Sequence, residues 1–193
     1  MRTCTAAFAS LLLLALTGVS AFGQRQMYAI KKVSPSVCNS PEYQVTFGPQ
    51  HPQGKAGSWL EVEVNFQSAV PWTDELTVKY YIMLAGQCLT GEVTHIDIPR
   101  GQDLYSVMYV SPRTIARILN GHQLTSNDIQ DVGVQLVLKG QVVDTKSFKA
   151  AGQLQWWQNV QQVTGKVLNK NQTPFAPMIW DRYEQIKPDT NGQ

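Results

Sequence analysis

The stretch WLEVEVNF, Trp59 to Phe66, decides the fold class because apolar and polar residues alternate along it without a break. Successive side chains of a strand point to opposite faces, so a period of two indicates a strand rather than a helix. One face would carry Leu60, Val62, Val64 and Phe66, and the other Trp59, Glu61, Glu63 and Asn65. The stretch therefore predicts a strand with its aliphatic face in a core and its acidic face in water.

The same alternation recurs in other segments. Strands are predicted for Leu76–Leu84 (LTVKYYIML), Tyr43–Phe47, Glu92–Ile98, with Thr94, Ile96 and Ile98 inward, and Tyr105–Val110. The stretch QLVLKGQVVDT, Gln135 to Thr145, predicts a hairpin. A two-residue turn at Lys139-Gly140 would place Leu136 opposite Val143.

One helix is predicted over Pro112–Asn120, within SPRTIARILNG. Ser111 can accept a hydrogen bond from the first free backbone N–H groups, and proline suits the first helical position. Ile115, Ile118 and Leu119 form one apolar stripe at helical spacing. Gly121 can end the helix in a left-handed conformation. The helix is short, so we expect it to pack on the strands.

Many short strands with Gly and Pro between them, and one helix, predict a mainly β protein: an immunoglobulin-like β-sandwich. The predicted parts are an N-terminal segment over 22–42, the sandwich over 43–187 and a flexible tail over 188–193. An immunoglobulin domain proper has Trp and Tyr at set spacings from its two cysteines. Trp59 lies between Cys38 and Cys88 at another spacing, so only the general architecture is predicted.

The first 21 residues have the pattern of a secretory signal peptide. Arg2 is followed by an apolar run of 11 residues, Ala6–Leu16, and by the small residues Val19-Ser20-Ala21. Cleavage is expected after Ala21, with Gly23 as the alternative. The run is too short to span a membrane, which takes about 20 residues. We expect an exported chain without membrane insertion, located in the periplasm, at the outer membrane or on the cell surface.

Two cysteines, Cys38 and Cys88, remain once the predicted signal is removed. An even number of cysteines in an exported chain predicts a disulfide, with two separate buried thiols as the alternative. Without Arg2, Lys and Arg outnumber Asp and Glu by one. Because the chain has no basic stripe, we expect no nucleic-acid partner.

Candidate catalytic and metal-binding residues are few. His95 and Asp97 would share a strand face, but with no third ligand nearby they are better explained as solvent-facing polar residues. The sequence has no GxSxG motif and no phosphate-binding Gly-rich loop before a helix. Carboxylates on a solvated strand face would not have raised pKa values. We therefore expect no catalytic residue, metal or cofactor, and no enzymatic activity.

The five tryptophans could form a platform on which sugar rings stack. Trp156 and Trp157 are adjacent, so on a strand only one of them could face the core. This reasoning makes Trp59 and Trp157 a candidate glycan platform, with packing in the core or at an edge as the alternative.

The tail holds the stretch TPFAPMIWDRYEQIK, Thr173 to Lys187. Strands are predicted over Trp156–Val163, Gly165–Leu168 and Met178–Ile186, with a turn at 169–171. Prolines cannot donate to a strand ladder, so the stretch should form an edge strand or a strap along the sandwich. The candidate interaction edge, which would accept a strand or surface of a partner, comprises Trp180, Asp181, Arg182, Tyr183 and Glu184.

Three stretches of the sequence are similar to a known group of proteins: WLEVEVNF, GEVTHIDIPRGQDLYSVMYVSPRTI and NKNQTPFAPMIWDRYE. Together with the signal peptide they resemble exported verrucomicrobial proteins of the Akkermansia type, which are immunoglobulin-like and associated with type IV pilus and secretion genes. The resemblance covers nearly all of the chain after the signal but contains no catalytic signature. It implies a non-enzymatic role beside other envelope or pilus-machinery proteins, in an unknown oligomeric state. More distantly, it implies kinship with the β-sandwich domains of archaeal motility stators.

Overall fold

The computed structural model describes residues 26–43, 57–149, 155–178 and 181–188. Its strands are β1 (Tyr28–Asn39), β2 (Ser58–Leu84), β3 (Gln87–Val110), β4 (Ile129–Leu138), β5 (Gln141–Ser147), β6 (Gln162–Val163) and β7 (Val167–Asn169). One α-helix, α1 (Pro112–Ile118), and 3-10 helices at Trp156–Asn159 and Lys170–Gln172 complete the described structure. The predicted signal peptide, Trp180 and most of the predicted tail lie outside the described residues, as do residues 44–47 of the predicted strand at Tyr43.

Strands β2 and β3 form one long antiparallel hairpin that bends in its middle. Its turn, Ala85-Gly86, has φ values of 45° and 80°, and its register shifts between Phe66 and Trp72. The strands predicted at Trp59–Phe66 and Leu76–Leu84 are therefore confirmed, but they are two halves of one strand. The strands predicted at Glu92–Ile98 and Tyr105–Val110 are likewise confirmed as two parts of β3, but Thr94 and Ile96, which were predicted to face inward, are only partly buried.

The bend folds the hairpin onto itself and creates two layers. Layer one contains β1, β2 up to residue 68, β3 from residue 101 and β7; layer two contains the rest of β2 and β3 with β4, β5 and β6. A single core joins Val62 and Val64 of layer one to Val78 and Ile82 of layer two. The mainly β, sandwich-like architecture is thus confirmed. The immunoglobulin-like classification stays a prediction.

Strand β1 belongs to layer one although its sequence was assigned to the segment before the sandwich. Its residues pair with β2 from Tyr28↔Ser68 to Asn39↔Ser58. The alternation of YAIKKVSPSVCN is interrupted by two lysines and Pro35, which an edge strand tolerates. The amide of Ile30 donates to Asp144 Oδ2 at 2.6 Å, which links β1 to β5 across one side of the sandwich.

The β4–β5 hairpin has the predicted turn. Lys139 and Gly140 have φ values of 49° and 80°, and a type I′ turn requires positive φ at both positions. The predicted register is wrong by one residue. Leu136 pairs with Asp144, because an irregularity between Leu136 and Val137 shifts the ladder.

Helix α1 begins at Pro112 as predicted and ends at Ile118, two residues earlier than predicted. The Ser111 hydroxyl accepts from the amide of Thr114 and confirms the predicted N-cap. Ile115 is buried against the strands, and Gly121 (φ 85°) lies in the turn that follows the helix.

The segment after β5 contains less strand than predicted. Residues 156–159 form a 3-10 helix rather than a strand, with Gln155 ahead of them at φ 78°. Lys170–Gln172 forms a second 3-10 helix at the predicted turn. The predicted strand Met178–Ile186 is also wrong in its described part, where only Ile186 makes a bridge, to His95.

Candidate functional site

The residues with the most reactive side chains form a buried hydrogen-bonded chain between the two layers. His95 Nδ1 lies 3.0 Å from the carbonyl oxygen of Glu184, which can only accept, so Nδ1 carries the proton. His95 Nε2 then accepts from the Ser106 hydroxyl at 2.7 Å, and Ser106 Oγ accepts from the Tyr80 hydroxyl at 2.7 Å. All three side chains are fully buried. The three side chains use one another and the Glu184 carbonyl as hydrogen-bond partners, and their burial leaves no access for a substrate.

His95 was predicted to face solvent beside Asp97, and this prediction is wrong. Its side chain is 1 % exposed, and burial lowers its pKa to about 4 despite hydrogen bonds with the backbone of Glu184 and Gln185. Asp97 is exposed and has φ 52°, so it does not share a face with His95. The left-handed residue shifts the alternation by one position, which turns Val93, His95 and Ile98 inward.

The C-terminal residues 173–178 and 181–188, here called the strap, cover the face of layer one that was assigned to water. Phe175 stacks on Tyr109, with ring centroids 4.6 Å apart, and meets Trp59 edge-on at 5.5 Å. Lys170 Nζ donates to the carbonyl of Ala176 at 2.8 Å and holds the proline-rich turn. The strap was one of the two alternatives predicted for this stretch.

The strap is fixed to both layers by its polar groups. Arg182 makes two 2.8 Å hydrogen bonds to the Glu63 carboxylate, and its guanidinium lies 4.1 Å from the centroid of the Tyr105 ring. Hydrogen bonds from Arg182, and its charge, lower the pKa of Glu63. The amide of Glu184 donates to the carbonyl of Tyr105 in layer one, and the amide of Lys187 to that of Thr94 in layer two.

Much of the predicted interaction edge is therefore occupied by the chain itself. Arg182 and Tyr183 are bonded to Glu63, and the backbone of Glu184 is bonded to Tyr105 and His95. Asp181 is exposed. Trp180 lies outside the described residues. Partner binding at this edge stays a prediction, and it would have to use groups that these contacts leave free.

The predicted glycan platform is wrong, because both of its indoles are buried. Trp59 is 7 % exposed and lies beneath the strap. Trp157 is 2 % exposed; its ring stacks on Tyr81 at 4.4 Å and packs on the backbone of Gly133. The 3-10 helix accounts for this burial, since it removes the strand geometry that the prediction assumed.

The predicted disulfide is also wrong, and Cys38 and Cys88 are free thiols. Cys38 packs with Trp59 on the outer face of layer one. Cys88 pairs with Met83, so its side chain is on the outer face of layer two. The core separates the two sulfurs. Burial raises the pKa of each thiol to about 11, with a further contribution from Glu61 at Cys38.

An exposed indole lies where the hairpin bends. Trp72 is 68 % exposed, beside the exposed Pro71, Met27 and Arg100; these four residues are called the bend surface. A hydrogen bond of 2.8 Å between the hydroxyls of Tyr28 and Thr73 fixes the backbone behind it. The sequence offered one signal for this site: Trp72 follows Pro71 between two alternating segments, where the strands must bend.

A cleft of about 750 Å³ adjoins the bend surface. Its lining includes the amide side chains of Gln26, Gln67 and Gln102 together with Pro71 and Arg100. Arg100 makes no ion pair with any residue that the structure describes. This part of the molecule thus offers an aromatic ring, a cation and neutral hydrogen-bonding groups.

Within the described ranges, no three His, Cys, Asp or Glu side chains come close enough to hold a metal ion. No described helix is both long and apolar enough to cross a membrane. The described part of the chain is thus a β-sandwich-like protein. Its His95 is buried, its strap covers one face, and the exposed side chains of the bend surface are of types that commonly bind other molecules.

Comparison with known proteins places the chain in a family. A protein-family model matches residues 19–190, and the chain belongs to that family. A crystal structure of a protein from Akkermansia muciniphila matches with a TM-score of 0.71 and 26% identity, over 84% of this chain and 94% of that one. No curated protein gives a significant match. The resemblance to proteins of the Akkermansia type is thereby confirmed at the level of the group, and the association with pilus genes stays a prediction.

Proposed function

We propose that this protein is a non-catalytic, exported binding protein that supports the assembly of type IV pilus or secretion machinery. The partner protein contacts the bend surface. The observation that carries the proposal is the 68 % exposure of Trp72. Arg100, on the same surface, makes no ion pair with any residue in the described part of the chain. Trp and Arg are enriched among the residues that dominate protein–protein binding energy.

The buried chain of Tyr80, Ser106 and His95 supports the absence of catalysis. A nucleophilic serine needs contact with both a base and a substrate. Ser106 has the base but lies between the layers, where every hydrogen bond is already made. We expect no activity of the purified protein on chromogenic glycosides or esters, and measurable turnover would contradict this part of the proposal.

A pull-down from envelope extract tests the partner. Pilus or secretion subunits, identified by mass spectrometry, should be captured by the native protein and lost with Trp72→Ala. The matched control is Phe148→Ala, which removes another exposed aromatic side chain, away from the bend. Equal capture by the Trp72 variant, or capture of no such subunit by the native protein, would contradict the proposal.

The second candidate function is glycan binding, which the cleft beside Trp72 favours. Sugar hydroxyls could bond to the side chains of Gln26, Gln67 and Gln102 that line the cleft. The indole of Trp72 lies outside this lining, next to Pro71, and could stack on a second sugar ring. A glycan array separates the two functions. Binding that disappears with Trp72→Ala, together with no capture of pilus subunits, would favour this second candidate.

A further inference from the structure

One edge of layer two has a gap in its strand pairing. Along β3, residues 88 and 89 pair with β6, and His95 bridges to Ile186 of the strap. No described residue pairs with residues 90–93 on that edge. A groove of about 880 Å³ opens along the gap, between residues 90–94 of β3 and strand β7. An unpaired edge next to a groove can accept another strand.

The backbone direction within the gap follows from its neighbours. Thr94 accepts through its carbonyl from Lys187, and Ile96 donates through its amide to Gln185, so both residues face this edge. Successive residues of a strand direct their backbone groups to alternate sides. Glu92, two residues before Thr94, therefore presents both its N–H and its C=O to the groove. Glu92 is exposed, and no described residue pairs with it on this edge, so a peptide could replace water at these two groups.

The groove is preformed because its walls are packed tightly at Gly91. A Cβ atom on this residue would lie 2.7 Å from Val167 Cβ and 2.8 Å from Met108 Cε. Glycine thus allows Val167 of β7 and the side chain of Met108, from the layer-one part of β3, to lie close to residue 91. The rim beyond this contact carries the neutral hydrogen-bonding side chains of Thr90, Gln162 and Asn169.

We propose that the groove binds an uncharged, extended peptide segment of a partner protein, which pairs with β3 at Glu92. The gap spans about four residues, or roughly 13 Å, which suits a short segment. The rim charges are already compensated: Lys79 pairs with Glu92 at 3.4 Å and Lys187 with Glu75. A charged segment would find no free opposite charge on the rim, whereas an uncharged segment needs none.

A second copy of the chain matches the groove less well. The outer strand β1 of another molecule has 12 residues, so most of it would extend past the gap and find no pairing partner there. This inference is carried by the open edge and does not depend on the bend surface.

The test uses Glu92→Pro, which removes the outward N–H and, with the carboxylate, the ion pair to Lys79. Glu92→Ala is the matched control, because it removes the same side chain and keeps the amide. The probe is a fluorescein-labelled, capped peptide of alternating Thr and Val, compared with the same peptide N-methylated at alternate residues. Binding is measured by fluorescence anisotropy, and the Glu92 amide is followed by NMR.

We expect the native protein and Glu92→Ala to bind the unmethylated peptide alike. Glu92→Pro should bind about tenfold more weakly or not at all, and the methylated peptide should not bind. The Glu92 amide should shift and become protected from hydrogen exchange. Because the methylated peptide tests the native protein, the outcome does not depend on whether the proline variant folds.

The proposal would be overturned if the native protein did not bind the probe at millimolar concentration or bound both peptides equally. The proposal would also be overturned, in favour of a second copy of the chain, by one result in analytical ultracentrifugation. That result is a dimer that the native protein and Glu92→Ala form and Glu92→Pro does not. Trp72→Ala should leave peptide binding unchanged. The groove and the bend surface can therefore fail independently.

Discussion

At the scale of single residues, His95 should make stability depend on pH. Burial lowers its pKa to about 4 in the folded chain, against about 6.5 in an unfolded one. Between these values the unfolded chain binds a proton at His95 that the folded chain does not, so acidification favours unfolding. We expect the free energy of unfolding to rise by about 3 kcal/mol from pH 4 to pH 6.5 through this residue. Urea titrations across this range measure it.

The variant His95→Gln isolates this contribution. At pH 7 this variant should be less stable than the native protein, because the hydrogen bonds from His95 to Ser106 and to the Glu184 carbonyl are lost or distorted. Its free energy of unfolding should change less between pH 4 and pH 6.5. His122→Gln is the control, since His122 is exposed. A pH profile of His95→Gln parallel to the native one would show that other groups cause the dependence.

Gly133 should tolerate no side chain, because Trp157 lies against its backbone. A Cβ atom there would come 2.0 Å from Trp157 Cζ3. Gly133→Ala should lower the free energy of unfolding by about 1–3 kcal/mol, measured by thermal or urea denaturation. In a Trp157→Ala background the added cost should largely disappear. The same cost in both backgrounds would place the strain elsewhere.

At the scale of elements, the strap should contribute through burial more than through its ion pair. Arg182 and Glu63 are partly exposed, so Arg182→Ala should cost at most about 1 kcal/mol of unfolding free energy. Phe175→Ala, which empties the contact with Tyr109 and Trp59, should cost about 3 kcal/mol or more. Asp103→Asn, which breaks the exposed pair with Lys31, is the control and should cause no measurable change. A larger loss with Arg182→Ala than with Phe175→Ala would contradict this ranking.

The elements also show how far sequence reasoning reached. Alternation predicted both halves of β2, because burial of one strand face leaves a local pattern at Leu60–Phe66 and Leu76–Leu84. It could not show that Phe175 and Arg182 return to cover the other face, because that contact joins residues more than 100 positions apart. It failed at His95, where the left-handed Asp97 changes the phase.

Neither proposed surface could be located from periodicity. The exposure of Trp72 follows from the bend, and the open edge at Glu92 follows from where β6 and Ile186 stop pairing. Both depend on tertiary arrangement. Trp157 shows the opposite error, a residue predicted to be exposed that is buried. Its position next to Trp156 suggested exposure, but the 3-10 helix places its ring on Gly133.

At the scale of the whole molecule, the two layers cannot come apart without bending back the strands that they share. Strands β2 and β3 run through both layers, and the strap bonds to each of them through Tyr105 and Thr94. Most pairings join residues distant in sequence, which slows folding. We infer that the described part of the chain unfolds as one cooperative unit rather than layer by layer.

The two free thiols test that inference, because they report on opposite outer faces. Cys38 lies beneath the strap on layer one and Cys88 lies on layer two. With pKa values of about 11, both should resist alkylation in the folded protein at pH 8 and react once unfolding exposes them. Pulse labelling with iodoacetamide along a urea titration, read by peptide mass spectrometry, should give the same midpoint for both cysteines. Labelling of Cys38 at clearly lower urea would show that the strap opens before the sandwich unfolds.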